Sequence, residues 1–148
     1  MHEIVPWSAL RLNVDTGVVA AVAVAATEIS SGRSVVWIDS RTPVRPWSHD
    51  PFVVARAAEL TATHALASAA IPFLFPALRV GDGYYCDGGI RMNTPLAPAL
   101  RLGADRLLIV GLRHVPTPAE ENSLGTQREA NYSSLAYLGG KVLNALLL

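Results

Sequence analysis

The stretch Val18–Ala26 (VVAAVAVAA) decides the expected fold, because it is apolar throughout and shows no polar alternation. A run of this length after Gly17 fits a strand that is buried on both faces, as in an α/β sheet, although its alanines leave a helix open. Turn-forming residues at 30–33 (SSGR) separate it from a second apolar stretch, Ser34–Ile38. The pattern therefore predicts two strands joined as a hairpin.

The next segments predict a helix and a second hairpin. Asp50 followed by Pro51 is typical of a helix start, so a helix is expected over 52–70, ended by Pro72. Two short apolar stretches, 78–80 and 84–86, flank a glycine-rich turn that supplies the positive φ of a tight hairpin.

The C-terminal part continues the alternation of helices and strands. Thr94 and Pro95 start a helix that runs to Leu102, and Gly103 follows its end. Residues 106–112 (RLLIVGL) predict a buried strand. Helical spacing returns near the end of the sequence at Leu135, Leu138, Val142 and Leu146. Together these elements predict an α/β fold, in which flanking helices cover a layered sheet.

Composition excludes several classes of function. The 148 residues suit a single domain, and 12 basic residues balance 12 acidic ones, which gives no electrostatic basis for binding nucleic acid. One cysteine and four dispersed histidines predict no metal site, and no cofactor is expected. Charged residues make up 16% of the chain, against about 25% in a typical soluble domain, yet no apolar run reaches the length of a membrane span.

Asp87 is the main candidate for a catalytic group. It ends a predicted strand, where α/β sheets place functional side chains, and Gly88 and Gly89 leave its carboxylate uncrowded, as a general base requires. The alternative is an Asp-Gly turn in which the carboxylate caps backbone amides. Asn93 follows the turn, and it could orient the loop or satisfy buried backbone groups.

Three other reactive side chains are weaker candidates. Cys86 has no base at an obvious partner position, which favours a small buried apolar role. Ser68 lacks the Gly-x-Ser-x-Gly context that exposes a nucleophilic hydroxyl. His64 lies in the predicted helix, where a hydrogen-bonded role is favoured over that of a base.

Two motifs in order carry a family resemblance. Small residues before two prolines and an aromatic pair (ASAAIPFLFP, 67–76) precede Asp87-Gly88-Gly89, which Asn93 and Pro95 follow. This combination resembles the patatin-like phospholipase family, most strongly over about 18–112, with 113–148 as a loop and helical extension. The resemblance implies a serine lipid acyl hydrolase that acts on lipid esters. It also implies that Asp87 is the aspartate of a Ser-Asp dyad, supported by Gly88, Gly89 and Asn93.

The chain departs from the family in its nucleophile. No Gly-x-Ser-x-Gly motif and no glycine-rich oxyanion loop is present in the sequence. The resemblance therefore maps onto the C-terminal portion of the family domain, and residues 1–148 are expected to form a single partial domain. Without the nucleophile and the oxyanion donors, this chain alone is expected to be inactive.

Further expectations concern the alternative function, assembly and location. The alternative to a hydrolase is a non-catalytic remnant or interaction module that retains the patatin-like surface. Half of a parallel sheet would expose an apolar edge, so self-association is expected. The low charge fits peripheral membrane contact, and the absence of a signal peptide favours a cytoplasmic or peripheral membrane location.

Overall fold

A computed structural model describes residues 5–47, 50–92, 95–110, 117 and 134–147. The chain divides into two compact units, Met1–Asp105 and Arg106–Leu148. Among the described residues, the first unit contains a sheet and four helices, and the second contains one helix.

The first unit contains nine of the described elements. Its helices are α1 (Trp7–Asp15), α2 (Ala62–Ser68), α3 (Gly89–Met92) and α4 (Leu96–Arg101). Its strands are β1 (Ala21–Glu28), β2 (Ser34–Ser40), β3 (Val53–Ala57), β4 (Leu78–Val80) and β5 (Gly83–Asp87). The second unit contains α5 (Leu135–Leu147), which confirms the helix predicted from its apolar spacing.

The five strands form one mixed sheet in the order β3-β2-β1-β5-β4. Strand β1 is antiparallel to both β2 and β5, and β4 is antiparallel to β5, whereas β2 and β3 are parallel. The predicted α/β fold with flanking helices is confirmed, and so are both hairpins. The sheet is not a largely parallel one, because β2 and β3 are the only parallel neighbours among the described strands.

Strand β1 is less buried than its sequence predicts. It begins at Ala21, and only its C-terminal residues Ala26–Glu28 are fully buried, while Ala23 is exposed. The strand with near-complete burial is β2, which is buried from Ser34 to Asp39. The difference arises because β2 has a neighbouring strand along both edges, whereas β5 covers only one end of β1.

The helix predicted over 52–70 is wrong in its first half. Asp50 accepts a hydrogen bond from the Phe52 N–H at 2.9 Å, so the cap signature forms a local turn that leads into β3. The valines Val53 and Val54 then pair with β2, because β-branched residues fit a pleated sheet. Helix α2 starts later, at Ala62, after the cap residue Thr61.

The buried strand predicted over 106–112 is also wrong. Residues 106–110 belong to no strand and are exposed, and residues 111 and 112 lie outside the described part of the chain. An apolar run becomes a buried strand only when a neighbouring strand pairs with it. None of the described strands pairs with these residues.

The core of the first unit lies between the sheet and α2. Its residues come from the strands β1, β2 and β5, from α2 and from the segment just before α2: Ala26, Val35, Trp37, Leu60, Ala67 and Tyr85. The Trp37 ring meets the rings of Tyr85 and His64 edge to face, with centroids 4.7 and 4.9 Å apart. This packing fixes α2 against β5, the strand that ends in Asp87.

Candidate active site

Asp87 is the last residue of β5, and its half-buried carboxylate is held by the turn that follows. The Gly89 N–H donates to Asp87 Oδ1 at 2.6 Å, a hydrogen bond between a backbone donor and an ionisable acceptor. Among the described residues, no hydrogen bond or ion pair reaches Oδ2. One carboxylate oxygen thus caps a backbone amide, as expected if residues 87–88 form only an Asp-Gly turn. The other oxygen retains its lone pairs for a further partner.

The backbone of the turn joins the two motifs that stood out in the sequence. The Asp87 N–H donates to the Ala70 carbonyl at 3.0 Å, and the Gly88 N–H donates to the Ser68 carbonyl at 3.3 Å. Ser68 is the last residue of α2, whose final carbonyl groups lack partners within the helix, and Ala70 directly follows the C-cap residue Ala69. The small residues before Pro72 therefore allow the end of α2 to bond directly to the Asp87 turn.

Gly88 is required by close packing against β1. A Cβ atom built on Gly88 would lie 2.3 Å from the Ala25 carbonyl oxygen and 2.8 Å from the Ala25 carbonyl carbon. Both are backbone atoms, so no side-chain rotation could relieve the contact. Gly88 is buried, and Gly89 begins α3. The glycine pair thus places the turn directly against the central strand of the sheet.

Of the two polar residues that follow the turn, Asn93 and Arg91, the structure describes only Arg91. Asn93 lies outside the described residues, so its role as a supporting residue stays a prediction. Arg91, which also follows the turn, places its guanidinium over the Phe52 ring, with the Cζ atom 5.8 Å from the ring centroid.

The surroundings of the weaker candidates, Cys86, His64 and Ser68, favour structural roles over catalytic ones. Burial, and then the neighbouring Asp87 charge, raise the pKa of the half-buried Cys86 thiol, which disfavours a reactive thiolate. His64 Nδ1 accepts a hydrogen bond from the Thr61 N–H at 3.2 Å and closes the first turn of α2. Burial lowers the pKa of His64, so the neutral ring is favoured. Ser68 contributes its backbone carbonyl to the Asp87 turn.

The edge of β1 beside the turn is open. The Glu28 N–H bonds to β2 and the Ile29 N–H bonds to β5, so alternate residues of β1 point their backbone groups at opposite neighbours. By this alternation Ala21, Ala23 and Ala25 face the side of β5. Strand β5 pairs only with Ala26–Glu28, and none of the described strands pairs with Ala21–Ala25 on that side.

An apolar groove of about 440 Å³ lies beside this open edge. It is formed by alanines in and just before β1, by one residue of β2, and by α4 with its flanking residues: Ala20, Ala21, Ala23, Ala25, Val36, Pro95, Pro98, Ala99, Leu102, Gly103 and Ala104. Asp87 is not among the lining residues. The groove is nevertheless adjacent to the turn, because Ala25 lines it and also contacts Gly88.

A partly buried ionic cluster, which the sequence did not predict, lies around Tyr85. Arg56 donates to Glu28 Oε1 at 2.9 Å and to the Tyr85 hydroxyl, and Tyr85 donates to the same Glu28 oxygen at 3.3 Å. Ser31 bonds to the other Glu28 oxygen. The hydrogen bond from Ser31, followed by the hydrogen bond and charge of Arg56, lowers the pKa of Glu28, although burial opposes the change.

Two further observations concern membranes and metals. No helix in the described ranges combines the length and hydropathy that crossing a bilayer requires. Within those same ranges, no three His, Cys, Asp or Glu side chains gather where they could hold a metal ion.

These features define an α/β domain in which a carboxylate ends a strand, one oxygen held by a glycine turn and the other unengaged by the described residues. The sequence model of the patatin-like phospholipase family matches residues 33–100, which contain both motifs. The predicted resemblance to that family is confirmed over this range. Comparisons with curated proteins and with solved structures gave no match.

Proposed function

We propose that Asp87 is the general base of a Ser-Asp dyad in a lipid acyl hydrolase, and that the serine lies outside these 148 residues. The observation that carries the proposal is the asymmetric use of the Asp87 carboxylate. Oδ1 is fixed by the Gly89 N–H at 2.6 Å, and within the described residues no hydrogen bond reaches Oδ2, the oxygen that would accept the proton. The family match over residues 33–100 supports a fatty-acyl ester of a lipid as the substrate.

The proposed chemistry divides ester hydrolysis between the serine and Asp87. Asp87 Oδ2 takes the proton from the serine hydroxyl while the oxygen attacks the ester carbonyl, and the proton then passes to the departing alcohol. In the second half of the cycle, water attacks the acyl-enzyme and loses a proton to Asp87, which passes it to the serine oxygen as the fatty acid is released. The hydrogen bond at Oδ1 keeps the carboxylate oriented through both steps.

The open edge of β1 supports a position for the serine-bearing segment. A strand added along Ala21–Ala25 would satisfy the backbone groups on that side and would end beside the Asp87 turn, because Ala25 contacts Gly88. The apolar groove there would be covered at the same time. We therefore propose that the described unit supplies the base and that the added segment supplies the nucleophile and the oxyanion donors.

Asp87→Asn tests the catalytic assignment. The 148-residue chain is combined with a serine-bearing half of a patatin-like domain, and hydrolysis of a p-nitrophenyl fatty-acyl ester is measured. We expect activity only in the mixture, and we expect Asp87→Asn to lower kcat about 10³-fold with KM nearly unchanged, since an amide cannot accept the proton.

Asp82→Asn is the matched control, because Asp82 is an exposed aspartate in the turn between β4 and β5. It should leave kcat unchanged. Full activity of Asp87→Asn in an active mixture would remove the dyad assignment. Serine-type esterase activity of the chain alone would remove the need for an external nucleophile. A mixture that binds lipid ester without turnover would favour the interaction module.

We also propose that the isolated chain self-associates through the open edge of β1. This edge carries no charge, proline or bulge of the kind that protects exposed strands. Light scattering coupled to size-exclusion chromatography should detect oligomers, and Ala23→Lys should shift them toward monomer, because lysine disfavours edge pairing. Ala9→Lys changes an exposed alanine on α1, and it should leave the oligomers unchanged. A monomeric wild-type chain would contradict the proposal.

A further inference from the structure

The Thr27 side chain forms a hydrogen bond to the backbone of the Asp87 turn from the neighbouring strand β1. It lies on β1 opposite Cys86, is 7% exposed, and donates from Oγ1 to the Asp87 carbonyl oxygen at 2.9 Å. The same peptide unit donates its Gly88 N–H to the Ser68 carbonyl at 3.3 Å. The peptide plane between Asp87 and Gly88 is therefore held from both sides, by β1 and by the end of α2.

This arrangement restricts how Asp87 can turn. The preceding peptide is held as well, because the Asp87 N–H donates to the Ala70 carbonyl at 3.0 Å. With both flanking peptides bonded, φ and ψ of Asp87 are fixed, and the Gly89 N–H is aimed at Oδ1. Three of these four hydrogen bonds use backbone donors, so Thr27 is the donor that a side-chain substitution can remove.

We propose that Thr27 is a positioning residue for the Asp87 carboxylate, an inference that rests on the proposed role of Asp87. Its hydroxyl fixes the peptide after Asp87, and through that peptide it fixes the Gly89 N–H that orients Oδ1. Thr27 does not touch the reacting atoms. Its loss should therefore act locally on the turn and reach catalysis only through the orientation of the base.

Hydrogen exchange of the 148-residue chain, measured by mass spectrometry, tests the positioning role without any need for activity. In Thr27→Val, which keeps the branched shape and removes the donor, exchange at the amides of 88 and 89 should rise about tenfold. Amides of β2 should keep their wild-type rates. Thr27→Ser retains the hydroxyl and should behave as wild type. Thr16→Val removes an exposed hydroxyl that bonds to the Leu12 carbonyl, and it should also leave the turn unchanged.

Several outcomes would overturn the positioning role. One is unchanged exchange at 88 and 89 in Thr27→Val. Another is an equal increase across the whole sheet, which indicates general destabilisation. A third is an increase in Thr27→Ser, which assigns the effect to the threonine methyl group and can be observed even if Thr27→Val does not fold.

The mixture with a serine-bearing half separates this inference from the proposed function. In that mixture, Thr27→Val should lower kcat about tenfold with KM unchanged, and Thr27→Ser should have the wild-type kcat. If Asp87→Asn remains active while Thr27→Val still loosens residues 88 and 89, the dyad assignment fails and Thr27 retains only its effect on the turn. If Asp87→Asn is inactive and Thr27→Val has wild-type kcat and exchange, the positioning role alone fails.

Discussion

Replacing Gly88 with alanine is expected to lower the free energy of unfolding by about 3 kcal/mol, the upper part of the usual range for overpacking a core. The added Cβ would lie 2.3 Å from the Ala25 carbonyl oxygen, and neither partner is a side chain that could rotate away. Relief requires β5 or the turn to move off β1, which also weakens the bonds to the end of α2. Urea denaturation followed by fluorescence of the buried Trp37 measures the loss.

Gly81→Ala separates this steric effect from the conformational one. Gly81 has a φ of 58°, but a Cβ there would meet no atom within 4 Å. Its replacement should cost about 1 kcal/mol, from the left-handed backbone alone. Gly88 has no positive φ, so its cost should come from the contact with Ala25. If Gly88→Ala proved no more destabilising than Gly81→Ala, the close approach of the turn to β1 would be wrong.

Local signals made the Asp87 turn partly predictable from sequence. Gly81 and Gly83 predict the hairpin that carries β5, and two glycines after a strand predict a sharp turn. The bonds from that turn to Ser68 and Ala70 could not be predicted in the same way. They join residues far apart in sequence, and they depend on where α2 ends, which the sequence placed inside a longer helix.

The error at 52–70 has a tertiary cause. Asp50-Pro51 and the alanines that follow favour a helix locally, yet Val53 and Val54 gain more by pairing with the buried strand β2. The same pairing brings Arg56 to Glu28 and Tyr85. Their separations of 28 and 29 positions along the chain carry no periodic signal, so the ionic cluster could only be found in the structure.

Arg56→Met is expected to lower the free energy of unfolding by about 3 kcal/mol, toward the lower end for breaking a buried ion pair. The Glu28 side chain is only 10% exposed and would lose its hydrogen-bonded cation. It would keep the hydrogen bonds from Ser31 and Tyr85 and the longer ion pair with Arg33 at 3.9 Å. Arg56 itself is 38% exposed, so solvent screening moderates the effect. Arg79→Met is the control, because Arg79 faces the exposed Asp82 at 4.0 Å, and no measurable loss is expected.

The dependence of this loss on pH identifies its cause. The Ser31 hydrogen bond, and then Arg56, lower the pKa of folded Glu28 below its ordinary value of 4.5. The stabilisation from ionised Glu28 is therefore complete above pH 4.5, and it disappears as the pH falls through the folded pKa. The difference between wild type and Arg56→Met should be largest near neutral pH and should shrink below pH 4.5, as Glu28 becomes protonated. A difference that stays constant through acid would assign the loss to the packing of the Arg56 side chain instead of its charge.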